Sequence, residues 1–363
     1  MLDFRPDEEQ KMLTETISRY TRERVRKVYR DAEEDGEIPA ALVRAGWEIG
    51  LLPTALPEEY GGFGDYSAVT GALALEEFAW GDLAVTLYVM TPNLVAIPVL
   101  LCGTEEQKAS YLPRFCDEAP PRVTAALTEP AVQFSPYKLK TTAVRDGDEY
   151  VLNGSKTFVP LADNAEMILV YANEDGITQA FIVPTDAEGV VVGDRNKLMG
   201  IRSLPANLVT LKNVRVPASS KVGGETGIDF SLILNHSRVA LGAAAVGMAR
   251  AGFEYARDYA KERVQFGEPI AHRQSIAFML ADMATEVDEA RLLVWETAWM
   301  LDQGQDVTRE ATIMKQQVDR MVMQVADRAV QILGGYGYIR EYPVELWLRN
   351  ARGFATFDGL AMI

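Results

Sequence analysis

A run of short strand-like segments in the middle of the chain restricts the possible folds more than any other feature. Six β-branched runs lie between Val123 and Val216, and turn dipeptides such as Asn153-Gly154 separate them. Short strands at this spacing are typical of a compact β-sandwich or barrel. The predicted strands are 140–144, 150–152, 167–171, 179–183, 189–192 and 208–211.

Apolar residues recur at helical spacing on both sides of this segment. Pro6 followed by acidic residues predicts a helix start near the amino terminus, and Thr104-Glu105-Glu106 predicts another. Long helices are predicted over 238–263, 274–303 and 308–333. The expected fold is therefore α+β, with an N-terminal helical domain (1–121), a middle β domain (122–226) and a C-terminal helical domain (227–363).

Composition excludes several function classes. The formal net charge is −16 and no Lys/Arg cluster is present, so we expect no nucleic-acid binding. The apolar stretches, such as 94–102, are too short to span a bilayer, and the first ten residues do not resemble a signal peptide. Two cysteines, Cys102 and Cys116, and two scattered histidines predict a reduced cytoplasmic protein without a metal site.

Two unusual stretches near the carboxyl end are candidates for a functional site. Gly334-Gly335 ends a helical pattern, and adjacent glycines can present backbone N–H groups to an anion. Further on, Asp358 lies among apolar residues, where a carboxylate resists ionisation, as a tuned general base does. The structural alternatives are a hinge between helices for the glycines and a turn or helix cap around Asp358.

A set of short motifs, taken in order, resembles the acyl-CoA dehydrogenase family over the whole chain. The resemblance implies a C-terminal four-helix bundle, an FAD cofactor, an acyl-CoA thioester substrate and electron-transfer flavoprotein as a partner. It also implies a homotetramer built as a dimer of dimers. The motifs are TEP at 128–130, NGSK at 153–156, MGIRS at 199–203, VRVP at 214–217, RVQFG at 263–267 and QILGGYGY at 331–338, followed by EYPVE.

The resemblance makes Asp358 the candidate base for the α-proton of the thioester. In the family a glutamate followed by glycine takes this role, and here the matching residues are Asp358 and Gly359. Aspartate is one methylene shorter, which sets its oxygens back by about 1 Å and can lower the rate about 10²-fold. Some relatives use a glutamate before an arginine instead, but Ser237 precedes Arg238 here. The neighbouring His236 could titrate near neutrality, although a lone histidine at a helix start is more often a cap or core residue.

The resemblance also implies how FAD is held. Arg263 and Gln331, with the backbone of Gly334 and Gly335, are expected to bind its pyrophosphate and adenine half across a subunit interface. Phe266 is expected to pack near the adenosine. A solvated charge at a helix end is the structural alternative for Arg263.

The residues expected at the flavin ring and the substrate depart from the family pattern. Leu127 and Thr128 can still face the pyrimidine edge of the ring. Residues 131–135 stand in place of the usual string that touches flavin and substrate, with Phe134 as a flavin candidate and Ser135 as a substrate candidate. Arg238 and Gly359 are further substrate candidates. Proline has no N–H, so hydrogen bonds near the flavin are lost where Phe158, Val159 and Pro160 replace the usual tryptophan-isoleucine-threonine string.

Three functions follow from this pattern. The first is an FAD-dependent acyl-CoA dehydrogenase with Asp358 as base. The second is a partner subunit of a hetero-oligomer that has lost flavin or catalytic contacts. The third is other flavin chemistry on the same fold, such as nitroalkane oxidation or a lyase reaction on a CoA ester. The first is the preferred hypothesis.

Overall fold

A computed structural model describes residues 5–363, and its amino-terminal part is helical, as the sequence predicts. The first helix is capped by Asp7, whose side chain accepts a hydrogen bond from the backbone N–H of Gln10. A π-helical turn (Thr21–Val25) joins this helix to the second. The predicted start at Thr104 is confirmed by the same capping arrangement with Gln107. The helices are α1 (Glu8–Tyr20), α2 (Arg26–Asp35), α3 (Ala40–Trp47), α4 (Leu51–Thr54), α5 (Ala68–Gly81), α6 (Leu83–Val89), α7 (Asn93–Cys102) and α8 (Glu105–Tyr111).

Seven strands form one mixed sheet in the middle of the chain. Each of the six predicted runs overlaps one of the strands β2 to β7, whereas β1 was not among the predicted runs. The strand order is β1-β4-β2-β3-β7-β6, and β5 also pairs with β4. The strands are β1 (Val123–Ala126), β2 (Thr142–Asp146), β3 (Glu149–Pro160), β4 (Met167–Glu174), β5 (Ile177–Pro184), β6 (Val190–Arg195) and β7 (Ala206–Pro217).

The alternation of side chains along β1 and β4 divides their apolar residues between two cores. These two strands are parallel, with Ala125 opposite Leu169. Ala125, Leu169 and Tyr171 belong to a core shared with α7 and with the helix that follows the sheet. Ile168 and Val170 point to the other side, into the core of the β domain. Because both faces of β4 are covered, its sequence is an almost continuous apolar run.

The carboxyl-terminal part contains three long helices and one short one, and the other three helices all contact α9. The long helices end within a few residues of their predicted bounds, but α9 begins eight residues earlier, at Phe230. A Cβ at Gly247 of α9 would lie 2.1 Å from the carbonyl oxygen of Glu76, so α5 and α9 pack at very short distance. The helices are α9 (Phe230–Glu262), α10 (Gln274–Asp302), α11 (Thr308–Leu333) and α12 (Val344–Ala351).

The N-terminal and C-terminal helices therefore share one apolar core, which includes Phe78 of α5 and Val246 of α9. The β domain packs against this helical body through the second core. The domain boundaries near 121 and 226 stay predictions, although both positions lie between secondary-structure elements.

By length and composition, α9 is apolar enough to cross a membrane, and the bent pair of α6 and α7 passes the same test. However, 89% of the apolar window of α9 is buried inside the protein, as in the core helix of a globular protein. Between residues 5 and 363, no group of three or more His, Cys, Asp or Glu side chains is placed to hold a metal ion.

Candidate active site

The Asp358 loop lies where all three parts of the chain meet. It follows α12 and a short 3₁₀ turn (Phe354–Thr356). The N–H of Gly359 donates to the hydroxyl of Ser237 on α9 at 3.2 Å, and the hydroxyl of Thr128, just after β1, donates to the carbonyl oxygen of Asp358 at 3.3 Å. Gly359 has φ +72°, and a Cβ there would lie 2.8 Å from the side chain of Leu127. Two of the contacts that hold this loop therefore come from segments more than 100 residues away in sequence.

Helix α11 adds a charged pair behind this loop. The ammonium group of Lys315 lies 2.7 and 2.8 Å from the two carboxylate oxygens of Asp319 and donates to the carbonyl oxygen of Phe354 at 2.8 Å. Burial and the charge of the half-buried Asp358 raise the pKa of Asp319, although Lys315 opposes them. The pair anchors the turn before Asp358 and places a second carboxylate near the candidate base.

Neither Lys315 nor Asp319 was among the sequence candidates. A signal for Lys315 was nevertheless present, because it occupies the apolar stripe of α11 together with Ala311, Met314 and Val318. A buried lysine on such a stripe needs a partner, and only the fold reveals which carboxylate provides it.

The expected flavin residues after β1 and on β3 lie beside each other. The N–H of Thr157 donates to the carbonyl oxygen of Thr128 at 2.9 Å, and the N–H of Phe158 donates to the side chain of Asn196 at 3.2 Å. Phe158 has φ +54°, a strained conformation for a residue with a side chain, and such strain is most often found at functional sites. Val159 instead turns its side chain into the β-domain core, and Pro160 is buried.

A buried ion pair holds the segment that carries Leu127 and Thr128. The side chain of Lys156 is fully buried, and its nitrogen lies 2.9 Å from Glu129 and 3.0 Å from the carbonyl oxygen of Leu127. Glu129 also accepts hydrogen bonds from the backbone N–H groups of residues 140 and 141, at 2.7 and 2.8 Å. Burial lowers the pKa of Lys156 to about 8. Burial alone would raise the pKa of Glu129, but Lys156 and the backbone donors outweigh it and lower that pKa.

Lys156→Met is expected to lower the free energy of unfolding by about 3–5 kcal/mol, because the Glu129 charge is then buried without its partner. Urea unfolding monitored by circular dichroism measures the change. Adding Glu129→Gln should recover part of the loss, since the amide oxygen still accepts from backbone N–H groups. The control is Arg122→Met, which breaks an exposed ion pair with Glu166 and should cost less than about 1 kcal/mol. Equal losses in the two single variants would contradict the structural role of the buried pair.

The residues expected to hold the adenine half of FAD form a separate groove of about 670 Å³ at the other end of α9. Arg263, Phe266, Gly334 and Gly335 all line it. Arg263 follows the last residue of α9 and places its guanidinium 5.2 Å from the centre of the Tyr336 ring. Gly334 has φ +59°, which a glycine adopts without strain. The volume is within the usual range for small-molecule sites.

The groove includes one residue that the sequence missed, and one sequence candidate, Gln331, is not among the residues that line it. Arg273 lines it as a second cation and was missed from the sequence, although it directly precedes α10. The side chain of Phe266 is 92% exposed in the single chain. Gln331 is exposed on the last turn of α11, and its carbonyl oxygen accepts the N–H of Gly334.

Four sequence candidates remain, namely Arg238, Phe134, Ser135 and His236. The guanidinium of Arg238 donates to the hydroxyl of Thr312 on α11 at 2.9 Å. Phe134 packs against the core between the sheet and α7, and Ser135 beside it is half-buried. His236 is buried, and burial lowers its pKa to about 4, so it is a neutral core residue at neutral pH rather than a titrating base.

Three family models match the chain in order. They are the N-terminal, middle and C-terminal domains of acyl-CoA dehydrogenase, over residues 7–119, 124–214 and 229–362. The chain belongs to the acyl-CoA dehydrogenase family. The family and the fold class expected from the ordered motifs are thereby confirmed.

Similar proteins cover almost the whole of this chain. The probable acyl-CoA dehydrogenase YngJ of Bacillus subtilis is 36% identical over 100% of this chain and 97% of its own length. CarC, a subunit of the caffeyl-CoA reductase-Etf complex of Acetobacterium woodii, is 36% identical over 92% of this chain and 89% of its own. A glutaryl-CoA dehydrogenase from Mycobacterium smegmatis, solved with FADH2, superposes with a TM-score of 0.87 at 27% identity, over 97% of this chain and 91% of its own.

Proposed function

We propose that this protein is an FAD-dependent acyl-CoA dehydrogenase in which Asp358 removes the α-proton of an acyl-CoA thioester. One observation carries the proposal. The hydroxyl of Thr128 donates a hydrogen bond to the carbonyl oxygen of Asp358, and the carbonyl oxygen of Thr128 accepts one from the N–H of Thr157, the residue before Phe158. The candidate base and the expected flavin residues are therefore neighbours in the fold. A base and a flavin that act on neighbouring carbons of one substrate require this arrangement.

The chain's own residues supply the proton transfer. The thioester carbonyl acidifies its α-carbon, and the carboxylate of Asp358 accepts the proton from it. FAD, when bound, supplies the acceptor for the hydride of the β-carbon. Ser237 holds the N–H of Gly359 and so keeps the loop in place on α9, while Lys315 anchors the preceding turn through Phe354. Because Leu360 and Ala361 are buried behind the loop, water is excluded from that side.

The groove at the end of α9 fits the adenine half of FAD. Two guanidinium groups line it, Arg263 and Arg273, although Arg273 also pairs with Glu268 at 3.2 Å. Both can donate to a diphosphate, and Gly334-Gly335 lets the backbone approach closely. Exposed Phe266 offers an aromatic face for the adenine.

The length of α9 supports an oligomer with shared FAD sites. Ser237 contacts the Asp358 loop, whereas Arg263 lies at the opposite end of the helix, about 39 Å away at a rise of 1.5 Å per residue. An extended FAD molecule is shorter than this distance. Two copies of the chain therefore have to contribute to each FAD, and we propose a homo-oligomer, with a homotetramer as the preferred form.

Electron-transfer flavoprotein is the acceptor that we propose, and its support is the similarity to CarC, whose complex contains Etf. We also propose a cytoplasmic location, because Cys102 and Cys116 are both free thiols.

One observation favours the alternative of a flavin-poor partner subunit. Pro160 has no N–H to donate. Leu360 and Met362 are buried apolar residues at positions where the resemblance to the family implies polar flavin contacts. A hetero-oligomer with a related subunit would then be the functional form. Other flavin chemistry, of the nitroalkane-oxidase or CoA-ester lyase kind, has no such observation in its favour.

The deciding experiment is an anaerobic absorbance spectrum of the protein purified alone, before and after addition of a panel of acyl-CoA thioesters. The proposal predicts an oxidised-flavin band that bleaches with at least one thioester. A colourless protein that takes up no added FAD would refute it in favour of the partner subunit. Oxidation by O₂ with release of peroxide, and without any thioester, would indicate the other flavin chemistry.

A further inference from the structure

A small apolar cavity adjoins the Asp358 loop and is lined in part by Tyr171, whose hydroxyl group has no hydrogen-bond partner within the described residues. It lies between the outer face of β1 and β4 and the helices α7 and α9. Gly359 and Ser237 line it next to the candidate base, and Tyr171 of β4, Leu94 of α7 and Met362 also line it. Its volume is about 10 Å³, close to the space of a single water molecule.

The Tyr171 hydroxyl has no hydrogen-bond partner among residues 5–363, although the side chain is only 3% exposed. A buried donor without a partner costs about 1–3 kcal/mol, so such groups are rare in folded proteins. The ring itself packs well, edge to face with Phe230 at 5.7 Å between ring centres. Phenylalanine would keep this ring contact without the cost, so packing alone does not explain the hydroxyl.

The fold places Tyr171 on the side of β4 that faces the substrate region. Leu169 and Tyr171 point towards α7 and α9, while Ile168 and Val170 point into the β-domain core. Burial raises the pKa of Tyr171, so the phenol stays protonated and acts as a donor at physiological pH. A ligand atom that satisfies this group must therefore accept a hydrogen bond.

We propose that Tyr171 selects a short acyl group that carries an acceptor oxygen at the end far from the thioester. This inference rests on the proposed function, because the cavity receives an acyl chain only if the thioester binds beside Asp358. The same small cavity is lined by both Gly359 and Tyr171, so an acyl chain that reaches from the loop to Tyr171 is short. Because a cavity of about 10 Å³ is smaller than an acyl group, binding requires Met362, whose unbranched side chain is adaptable, to change its rotamer.

The test compares 4-hydroxybutyryl-CoA with pentanoyl-CoA, whose acyl groups have the same number of non-hydrogen atoms. Dissociation constants and kcat/KM are measured for the wild type and for Tyr171→Phe. The wild type should prefer the hydroxylated ester, and Tyr171→Phe should reduce that preference about tenfold without weakening pentanoyl-CoA. The control Tyr255→Phe, on α9 and outside the cavity, should leave the preference unchanged.

The stability of the free variants gives a second readout. Because no protein group between residues 5 and 363 pairs with the hydroxyl, Tyr171→Phe should lower the free energy of unfolding by no more than about 1 kcal/mol in urea unfolding. A clear loss of stability would overturn the inference, since it would reveal a partner within the protein.

The outcomes separate the inference from the proposed function. If both esters are turned over and Tyr171→Phe keeps the preference of the wild type, the inference about Tyr171 is overturned and the proposed function is not. A preference in the dissociation constants without turnover supports Tyr171 and refutes the dehydrogenase. If neither ester binds or is turned over by the wild type, both are overturned.

Discussion

Asp358→Asn should lower the rate of flavin reduction by an acyl-CoA substrate by at least about 10²-fold, the lower end of what a general base contributes. The amide keeps the shape of the carboxylate but cannot accept the α-proton. FAD content should not change, because Thr128 contacts Asp358 through the backbone carbonyl, which the substitution preserves. Stopped-flow measurement of flavin bleaching under anaerobic conditions gives the rate.

Asp358→Glu tests the geometry of the same residue. Glutamate restores the missing methylene, so its carboxylate should act as base, and the rate should be equal to or higher than that of the wild type if the shorter side chain limits it. The matched control is Asp327→Asn, an exposed aspartate on α11, which should have no effect. Full activity of Asp358→Asn would exclude Asp358 as the base.

Arg263→Ala is expected to weaken FAD binding about 10- to 150-fold, the effect of losing a hydrogen-bonded pair to a charged group. Arg263 lines the groove at the end of α9, so its loss removes one of two guanidinium groups available to the diphosphate. Fluorescence titration of the apoprotein with FAD measures the change. The control is Arg257→Ala on the same helix, whose side chain pairs with Asp258. Unchanged FAD affinity in Arg263→Ala would show that the groove does not bind the diphosphate.

Coexpression of the Arg263→Ala chain with the Asp358→Asn chain tests whether two copies share each FAD site. If each FAD takes Arg263 from one copy and the Asp358 loop from another, a mixed pair has one intact site and one with both defects. Random pairing should then restore about a quarter of the wild-type activity. If a single chain formed a complete site, every site would carry one of the two defects. Coexpression would then restore no activity.

Local patterns in the sequence determined most of the secondary structure. The strand runs, the long helices and the capping sequence at Thr104 depend on neighbouring residues, and the structure agrees with them. The ordered motifs were enough to identify the family, because the identity and the spacing of motifs are properties of the sequence itself. Gly334-Gly335 and Asp358 could also be selected from the sequence, since adjacent glycines and an isolated carboxylate are visible without a fold.

Only the tertiary structure decided which of these residues work together. Asp358 adjoins Ser237, which lies 121 positions earlier, and the Lys156–Glu129 pair joins β3 to the segment after β1. The unpartnered hydroxyl of Tyr171 is invisible in a run of apolar strand residues. The physical reason is that burial and hydrogen bonding depend on surfaces from distant segments, whereas sequence periodicity reports only which face of an element is apolar.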